Sequence, residues 1–305
     1  MKLLRWLTGQ PYLLLISCAI VWAGNAIAGR LAAGHISPYL LTTLRWAVAS
    51  AVLLAIARPI LRRDWKVIVR HWPYLAVMGA VGFTLFNNLF YLGLNYTTSI
   101  NGAIIQAGTP FMVFVVNFVV FRLRSTWLQI LGFLLTLCGV VVAATEGEPL
   151  RIAGLGVGIG DAYLLAASFA YGVYTAALVR KPDLHWLSLV TVLAVFALIA
   201  SFPFTLWEWS AGKLLPPDPV GWGVVFYAAI LPAIVAQVMW IRGLEIIGSN
   251  RGGVFMNLVP IFAAGMAVLF LDEDFRLYHA MALVLVVFGV WMSQKMKPAQ
   301  AIPGR

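Results

Sequence analysis

Charged residues are scarce in this sequence: Asp, Glu, Lys and Arg together make up 10% of its 305 residues. A soluble domain carries about 25% charged residues, so this chain has too few polar side chains to cover a water-facing surface. Hydrophobic residues reach 62% and the mean hydropathy is +0.92. Apolar runs of about 20 residues indicate helices that span a bilayer. The composition therefore predicts an all-α polytopic membrane protein.

Cysteine is scarce too, and its placement excludes two classes of small site. Cys18 and Cys138 both fall in apolar runs, where they offer neither a disulfide framework nor metal-ligand spacing. The glycine-rich stretch 154–160 lacks the GxxxxGK[ST] pattern of a phosphate-binding loop. An intramembrane enzyme would need acids or histidines clustered at mid-depth, but all four histidines lie at predicted span ends. We expect no metal, no cofactor and no enzymatic activity.

Ten apolar spans can be read along the chain. They cover about residues 11–29, 37–57, 72–93, 99–121, 126–144, 158–179, 186–207, 221–243, 250–271 and 277–294. Only the connections near 58–71, 145–157 and 208–220 exceed ten residues, and we expect them to be loops. No soluble domain is predicted.

The net charge of +10 could indicate a nucleic-acid partner, but the distribution of Lys and Arg favours a membrane explanation. With the N-terminus inside, the inner segments hold 16 Lys and Arg and the outer loops hold 4. This split follows the positive-inside rule and predicts cytoplasmic N- and C-termini. We expect a multi-pass membrane protein with lipid around it and no nucleic acid bound.

A sequence pattern occurs twice, 150 positions apart. Ser99-Ile-Asn-Gly102 is followed by Pro110, and Ser249-Asn-Arg-Gly252 is followed by Pro260 at the same spacing. The pattern predicts two five-helix repeats, at 1–146 and 153–297, followed by a short cytoplasmic tail at 298–305. Because each repeat has an odd number of spans, the second must be inverted, as in many secondary transporters. Gly102, Pro110, Gly252 and Pro260 are the predicted hinge residues.

Polar and aromatic side chains inside the spans predict a central cavity, because polar groups in a bilayer serve either function or helix packing. A cavity lined by amides, tyrosine hydroxyls and aromatic rings suits a small polar molecule with an apolar or aromatic part. The alternative for each amide is an interhelical hydrogen bond, and for each ring ordinary core packing. The candidate substrate-binding residues are Trp22, Asn25, Asn87, Asn88, Tyr91, Gln106, Tyr171, Tyr174, Gln237, Trp240 and Asn257.

Two charged residues fall inside predicted spans. Arg45 needs a partner at its depth, either a backbone carbonyl or a buried carboxylate, unless its side chain snorkels to the surface. Asp161 lies near the outer end of its span and is the only candidate proton carrier. The lack of an acid at mid-depth favours uniport or exchange over proton coupling.

The chain resembles the drug/metabolite transporter superfamily of the EamA type. The resemblance rests on ten spans, two inverted halves and the pattern Tyr91-x-Gly93-Leu94…Ser99…Gly102…Pro110 with its second copy. Within that family it is similar to the aromatic amino acid exporters of the YddG type. The resemblance implies a single central cavity and efflux of a small molecule across the inner membrane without ATP.

Other functions stay open at this stage. A multidrug or nucleotide-sugar carrier of the same fold is one alternative, although a sugar nucleotide would demand several basic residues in the cavity and only Arg45 is available. A channel is disfavoured by the lack of a charged or carbonyl filter motif. The sequence leaves the oligomeric state open, and a monomer is compatible with it.

Overall fold

The structure, a computed structural model, describes residues 10–109, 111–113, 115–116, 127–148, 158–247, 255–256 and 258–294. All regular structure in these ranges is helical. Eleven α-helices are described: α1 (Pro11–Leu31), α2 (Pro38–Gly79), α3 (Phe86–Leu94), α4 (Ser99–Ala107), α5 (Trp127–Ala144), α6 (Ile159–Ala177), α7 (Trp186–Ser210), α8 (Pro219–Ile230), α9 (Ala236–Ile247), α10 (Leu258–Leu271) and α11 (Leu277–Gln294). Two π-helical segments, π1 (Ala80–Leu85) and π2 (Leu231–Val235), join α2 to α3 and α8 to α9.

Several of these helices are long and apolar enough to cross a membrane. Within the described ranges there are five such stretches: Pro11–Leu31, Pro38–Leu94, Trp127–Ala144, Trp186–Ser210 and Pro219–Gly243. Leu258–Leu271 and Leu277–Met292 are shorter apolar helices. The all-helical membrane architecture expected from composition is thereby confirmed, while the count of ten spans stays a prediction.

The segment 58–71 is helical, so its prediction as a loop is wrong. The hydrogen bonding of α2 continues through it, with a single break in helical geometry at His71 (φ −115°, ψ 16°). Buried Asp64 and Ile68 alternate at helical spacing with exposed basic residues. The many charges suggested a loop, but their spacing leaves one face free to pack on α7.

Helices α2 and α7 pack side by side over most of their length. Thr43 Oγ1 lies 2.7 Å from Thr205 Oγ1 near one end, and the N–H of His185 donates to Asp64 Oδ2 at 3.0 Å near the other. Residue numbers rise along α2 as they fall along α7, so the part of α2 before the break at His71 is antiparallel to α7. After the break the direction reverses, since a Cβ at Gly79 would lie 2.7 Å from the Leu193 oxygen. We call this contact the α2–α7 seam.

Helices α5 and α11 form a second antiparallel contact, the α5–α11 seam. A Cβ at Gly139 would lie 2.8 Å from the Ala282 oxygen, and a Cβ at Gly289 would lie 2.5 Å from the Gly132 oxygen. The two contacts are equivalent at an offset of 150 residues, because position 139 corresponds to 289 and position 282 corresponds to 132. The pattern of buried and exposed residues over 131–140 is the same as over 281–290. Small residues let the two backbones approach closely, as membrane helices commonly do.

The two ends of the helix bundle are named here by their histidines. The His35 end holds the C-terminus of α1, the N-terminus of α4 and residues 211–218, since Ser37 N–H donates to the Leu215 oxygen at 3.1 Å. The His71 end holds residues 58–74 and 177–187, since the Tyr74 hydroxyl donates to the Ala177 oxygen at 2.5 Å.

Candidate functional site

The two π-helical segments occupy corresponding positions in the two halves of the chain. π1 ends at Leu85 and π2 ends at Val235, 150 positions apart, and each is followed two residues later by a predicted amide, Asn87 or Gln237. Asn87 Nδ2 donates to the Phe83 oxygen at 2.5 Å, which satisfies a carbonyl inside π1. Such segments are common at functional sites. The sequence analysis did not detect them, because only Pro232 in π2 signals a break in helical bonding.

Arg45 lies at the centre of a polar cluster formed by α1, α2 and α3. Its Nη1 donates to Asn87 Oδ1 at 2.8 Å, to Asn25 Oδ1 at 3.4 Å and to the Tyr91 hydroxyl. The Tyr91 hydroxyl also donates to Asn25 Oδ1 at 3.2 Å. Three predicted site residues therefore meet at Arg45, and we call these four residues the Arg45 cluster.

The environment of Arg45 differs from both expectations. Its side chain is 6% exposed, so it does not snorkel, and the partners of its hydrogen bonds are neutral side chains rather than a carboxylate or a backbone carbonyl. The Trp46 ring supplements them, with its centroid 5.1 Å from Arg45 Cζ. The Nε of Arg45 is buried without a hydrogen-bond partner. The guanidinium is therefore held in place on one side and unsatisfied on another.

A pair of tryptophans lies next to this cluster. The rings of Trp22 and Trp240 have centroids 5.4 Å apart, and Trp22 Nε1 donates to the Pro232 oxygen at 3.3 Å, within π2. Trp22 precedes Asn25 by three residues on α1, so the two side chains share a face about 5 Å apart. The structure thus brings Trp22 and Trp240 together, on the face of α1 that carries Asn25, and their role as a cavity wall stays a prediction.

Tyr171 and Tyr174 belong to a separate aromatic cluster between α3 and α6. Tyr171 lies 5.0 Å from Phe86 and 5.5 Å from Tyr174, measured between ring centroids. Tyr174 in turn contacts Phe83, whose ring stacks on Trp46 at 4.7 Å. This chain of rings links the second predicted group to Arg45 through Trp46.

The remaining predicted residues occupy less connected positions. Gln106 Nε2 donates to Ser168 Oγ at 3.3 Å between α4 and α6. Asn88 is 2% exposed, and neither atom of its amide has a partner. Gln237 is partly buried at the start of α9, and Asn257 lies outside the described residues.

Two of the four predicted hinge residues lie in the described part of the chain. Gly102 is buried in α4, where a Cβ would approach Leu94 Cδ2 to 2.8 Å. Pro260 is buried close to the start of α10 (Leu258–Leu271). Pro110 and Gly252 lie outside the described residues, so the hinge stays a prediction.

Acidic side chains at the His35 end cap helix N-termini. Glu208 accepts from Ser37 Oγ at 2.6 Å and from the N–H of Leu40 at 3.1 Å at the start of α2. Glu273 accepts from the N–H groups of Ser99 and Ile100 at 2.8 and 3.0 Å at the start of α4. Both caps complement the helix dipole. The sequence analysis missed them because the acids and the capped helices are far apart in sequence.

Asp161, the predicted proton carrier, is buried at the same end. Its Oδ1 accepts from Thr97 Oγ1 at 2.8 Å, and the residue is 4% exposed. It lies in the first turn of α6, where a carboxylate stabilises the helix dipole. This position gives Asp161 a helix-stabilising role and separates it from the Arg45 cluster.

A histidine–aspartate contact lies at each end of the bundle. His35 Nδ1 lies 2.6 Å from Asp218 Oδ2, and at the other end the N–H of His185 donates to Asp64. The two histidines are 150 positions apart and precede α2 and α7 respectively. The Gly221 N–H, and after it His35, hold the pKa of Asp218 below its usual range.

An open cleft of about 340 Å³ lies at the His35 end. It is bordered by Arg30, His35, Thr98 and Glu273, among others. Arg30 Nη1 donates to the Leu94 oxygen at 2.9 Å, at the end of α3. The cleft therefore lies above the helix that carries Asn87 and Tyr91.

Comparison with known proteins adds a family to this geometry. The model of the EamA-like transporter family matches residues 10–145 and 158–294. The uncharacterized transporter YetK of Bacillus subtilis is 24% identical over 300 residues, which cover 96% of this chain and 89% of the relative. A protein described as an S-adenosylmethionine/S-adenosylhomocysteine transporter of Chlamydia trachomatis is 25% identical over 282 residues, with 89% and 85% covered.

A solved structure shares the fold. A crystal structure of a protein 20% identical to this chain superposes with a TM-score of 0.60 and covers 93% of this chain and 98% of its own. At this identity the likeness concerns the fold alone.

Proposed function

Because this chain belongs to the EamA-like transporter family, we propose that it is a secondary transporter that exports small metabolites, with aromatic or other amino acids as the first candidates. Membrane transport follows from the family, whereas the substrate and the direction are proposed. The observation that carries the substrate proposal is the Trp22–Trp240 ring pair beside the Arg45 cluster. A ring surface next to charged and amide donors suits an aromatic amino acid.

Charge supports an orientation in the bacterial inner membrane with the His71 end in the cytoplasm. Basic residues of the described chain at that end are Arg58, Arg62, Arg63, Lys66, Arg70, Arg180 and Lys181, whereas Arg30, Lys213 and Arg276 lie at the other end. Positive residues accumulate on the cytoplasmic side of membrane proteins. Both termini are then cytoplasmic, and the cleft at the His35 end faces outward.

The paired contacts support two inverted repeats, at 1–146 and 153–297, with a short tail at 298–305. Antiparallel seams with contacts that exchange at an offset of 150 are what an approximate twofold axis in the membrane plane produces. The matching positions of π1 and π2 fit the same axis. Alternating access then arises when the two halves exchange conformations around the central site.

We propose uniport or exchange rather than proton coupling. In the described part of the chain, Glu208, Glu273 and Asp161 act at helix N-termini at one end of the bundle. None of these carboxylates belongs to the Arg45 cluster, whose acceptors are neutral. Substrate movement therefore needs no proton on a carboxylate at the site.

The test is counterflow in proteoliposomes loaded with one unlabelled compound and presented with labelled Phe, Tyr, Trp, a sugar or a polyamine. We expect saturable uptake of the aromatic amino acids, absent from protein-free liposomes and unchanged when an ionophore removes the pH gradient. If aromatic amino acids neither move nor compete, the substrate proposal is wrong. Loss of uptake without the pH gradient would contradict the proposal of uniport or exchange.

A second substrate class is favoured by one relative. The Chlamydia trachomatis protein is described as an S-adenosylmethionine/S-adenosylhomocysteine transporter, and those compounds also combine an amino acid group with a planar ring. Adding both to the counterflow panel distinguishes a broader metabolite carrier from an aromatic amino acid carrier. Competition by both with Phe uptake would support the broader class.

A further inference from the structure

We propose that Arg45 is the anion-binding residue of this transporter and that its substrates carry a carboxylate, which pairs with the guanidinium. The inference rests on the proposed function for the substrate's ring and goes beyond it in assigning the charged contact. It starts from a buried cation for which the Arg45 cluster supplies dipoles but no negative charge.

Charge balance is the first argument. Removing an unpaired charge from water is unfavourable by several kcal/mol, and neutral acceptors offset only part of that penalty. Arg45 is 6% exposed, and its position in α2, seven residues after Pro38, places it about 10 Å along the helix from its start. A bound carboxylate would supply the missing negative charge.

The geometry of the guanidinium is the second argument. All three described hydrogen bonds leave from Nη1, which fixes the plane of the group. Nε is buried and has no partner, so the edge of the guanidinium that includes Nε carries an unsatisfied donor. Guanidinium edges bind carboxylates through two parallel hydrogen bonds.

The surroundings select the rest of the ligand. Asn25 and Trp22 are only half-buried, so accessible space adjoins the cluster on the side of α1. Trp22 is one helical turn from Asn25, about 5 Å away, which is comparable to the distance from an aromatic ring to the carboxylate of an amino acid.

The first test needs no mutation. The thermal stability of the purified protein in detergent is measured against phenylalanine, phenylpropionate, phenylalaninamide and phenethylamine. The two carboxylates should stabilise the protein in a saturable manner, and the amide and the amine should bind about 10-fold or more weakly, as expected for the loss of a hydrogen bond to a charged group. Equal binding of acids and amides, or no binding of either carboxylate, would overturn the inference.

The second test places a carboxylate inside the cluster. Asn87→Asp puts an oxygen with a negative charge where the amide oxygen now lies 2.8 Å from Arg45 Nη1. We expect about 10-fold weaker binding of phenylalanine together with thermal stability equal to or above that of the wild type. Asn95→Asp, the same change at the end of the same helix, is the control and should alter neither quantity.

The outcomes separate this inference from the proposed function. Carboxylates that bind through Arg45 without counterflow would contradict the transport proposal and leave the anion site intact. Counterflow of phenylalaninamide as efficient as that of phenylalanine would contradict the anion site and leave the transport proposal intact. If Asn87→Asp does not fold, the comparison of acid and amide on the wild type still decides the question.

Discussion

The α5–α11 seam predicts a large and specific effect of adding one methyl group. In Gly139→Ala the new Cβ would lie 2.8 Å from the Ala282 oxygen, and in Gly289→Ala it would lie 2.5 Å from the Gly132 oxygen. Both contacts involve backbone, which cannot rotate away as a side chain can. Overpacking of this kind destabilises a protein by about 1–3 kcal/mol, so we expect each variant to be destabilised within that range.

The chain provides matched controls in Gly223 and Gly265. Both lie within helices, in α8 and α10, and nothing lies within 4 Å of a Cβ built on either. Replacing an exposed helical glycine with alanine is neutral or stabilises by about 0.5–1 kcal/mol. Gly223→Ala and Gly265→Ala should therefore match or exceed the stability of the wild type.

Thermal unfolding in one detergent, followed by the monodisperse fraction on size-exclusion chromatography, compares the four variants directly. Gly139→Ala and Gly289→Ala should lower the unfolding temperature by similar amounts, because their contacts are related by the approximate twofold axis. If Gly139→Ala and Gly289→Ala unfold at the same temperature as the two control variants, the close approach of the two backbones is refuted. If only one of them is destabilised, the equivalence of the two contacts is refuted.

Three further predictions concern single contacts. Trp22→Leu and Trp240→Leu should weaken phenylalanine binding non-additively, with a coupling of about 0.5–1.5 kcal/mol in a double-mutant cycle; additive losses would show that the rings do not act together. Glu273→Gln should destabilise the protein less than Glu273→Ala, which should lose about 0.5–2 kcal/mol of capping energy, as measured by thermal unfolding; an unchanged unfolding temperature for the alanine variant would contradict the cap. A disulfide in Thr43→Cys/Thr205→Cys, made in a background without the native cysteines, should leave counterflow unchanged, and inhibition reversed by reductant would show that the α2–α7 seam moves.

Composition and periodicity predict the membrane class and most of the apolar helices, because both depend on local sequence. The connection 58–71 was mistaken for a loop because its charges were counted without their spacing, although Asp64 and Ile68 mark a buried helical face. π1 has no comparable local signal, because its extra residue per turn depends on packing, including Tyr174 over Gly82. Element boundaries that depend on tertiary contacts are beyond sequence patterns.

For the site, the sequence predicted which residue types are involved but not which residues contact each other. Polar residues inside apolar runs identified Asn25, Asn87 and Tyr91, and the structure brings all three to Arg45. The sequence could not show that they serve one cation, because the contacts join helices that are 20 to 46 residues apart in the chain. The sequence also could not separate the Trp22–Trp240 pair from the rings around Tyr171, since both groups consist of aromatic residues inside apolar runs.

The proposed twofold axis divides the contacts of this protein into two kinds. Contacts within the α5–α11 seam map onto contacts of the same seam: Gly139 with Ala282 maps onto Gly289 with Gly132. An exchange of conformation between the halves would therefore leave this seam as it is. The α5–α11 seam can then act as the fixed frame of an alternating-access cycle.

The Arg45 cluster behaves differently under the same operation. Position 45 corresponds to Val195, position 25 to Thr175 and position 91 to Ile241, so the second half holds no cation at the equivalent place. Exchange of the halves changes the surroundings of one guanidinium rather than transferring the ligand between two equivalent sites. Movement of the surrounding helices can open a single charged site to either end of the bundle. Alternating access requires no second charged site. A Val195→Arg variant should therefore add a buried charge without adding transport capacity, and a second saturable carboxylate site in that variant, detected by equilibrium binding of labelled phenylalanine, would contradict this asymmetry.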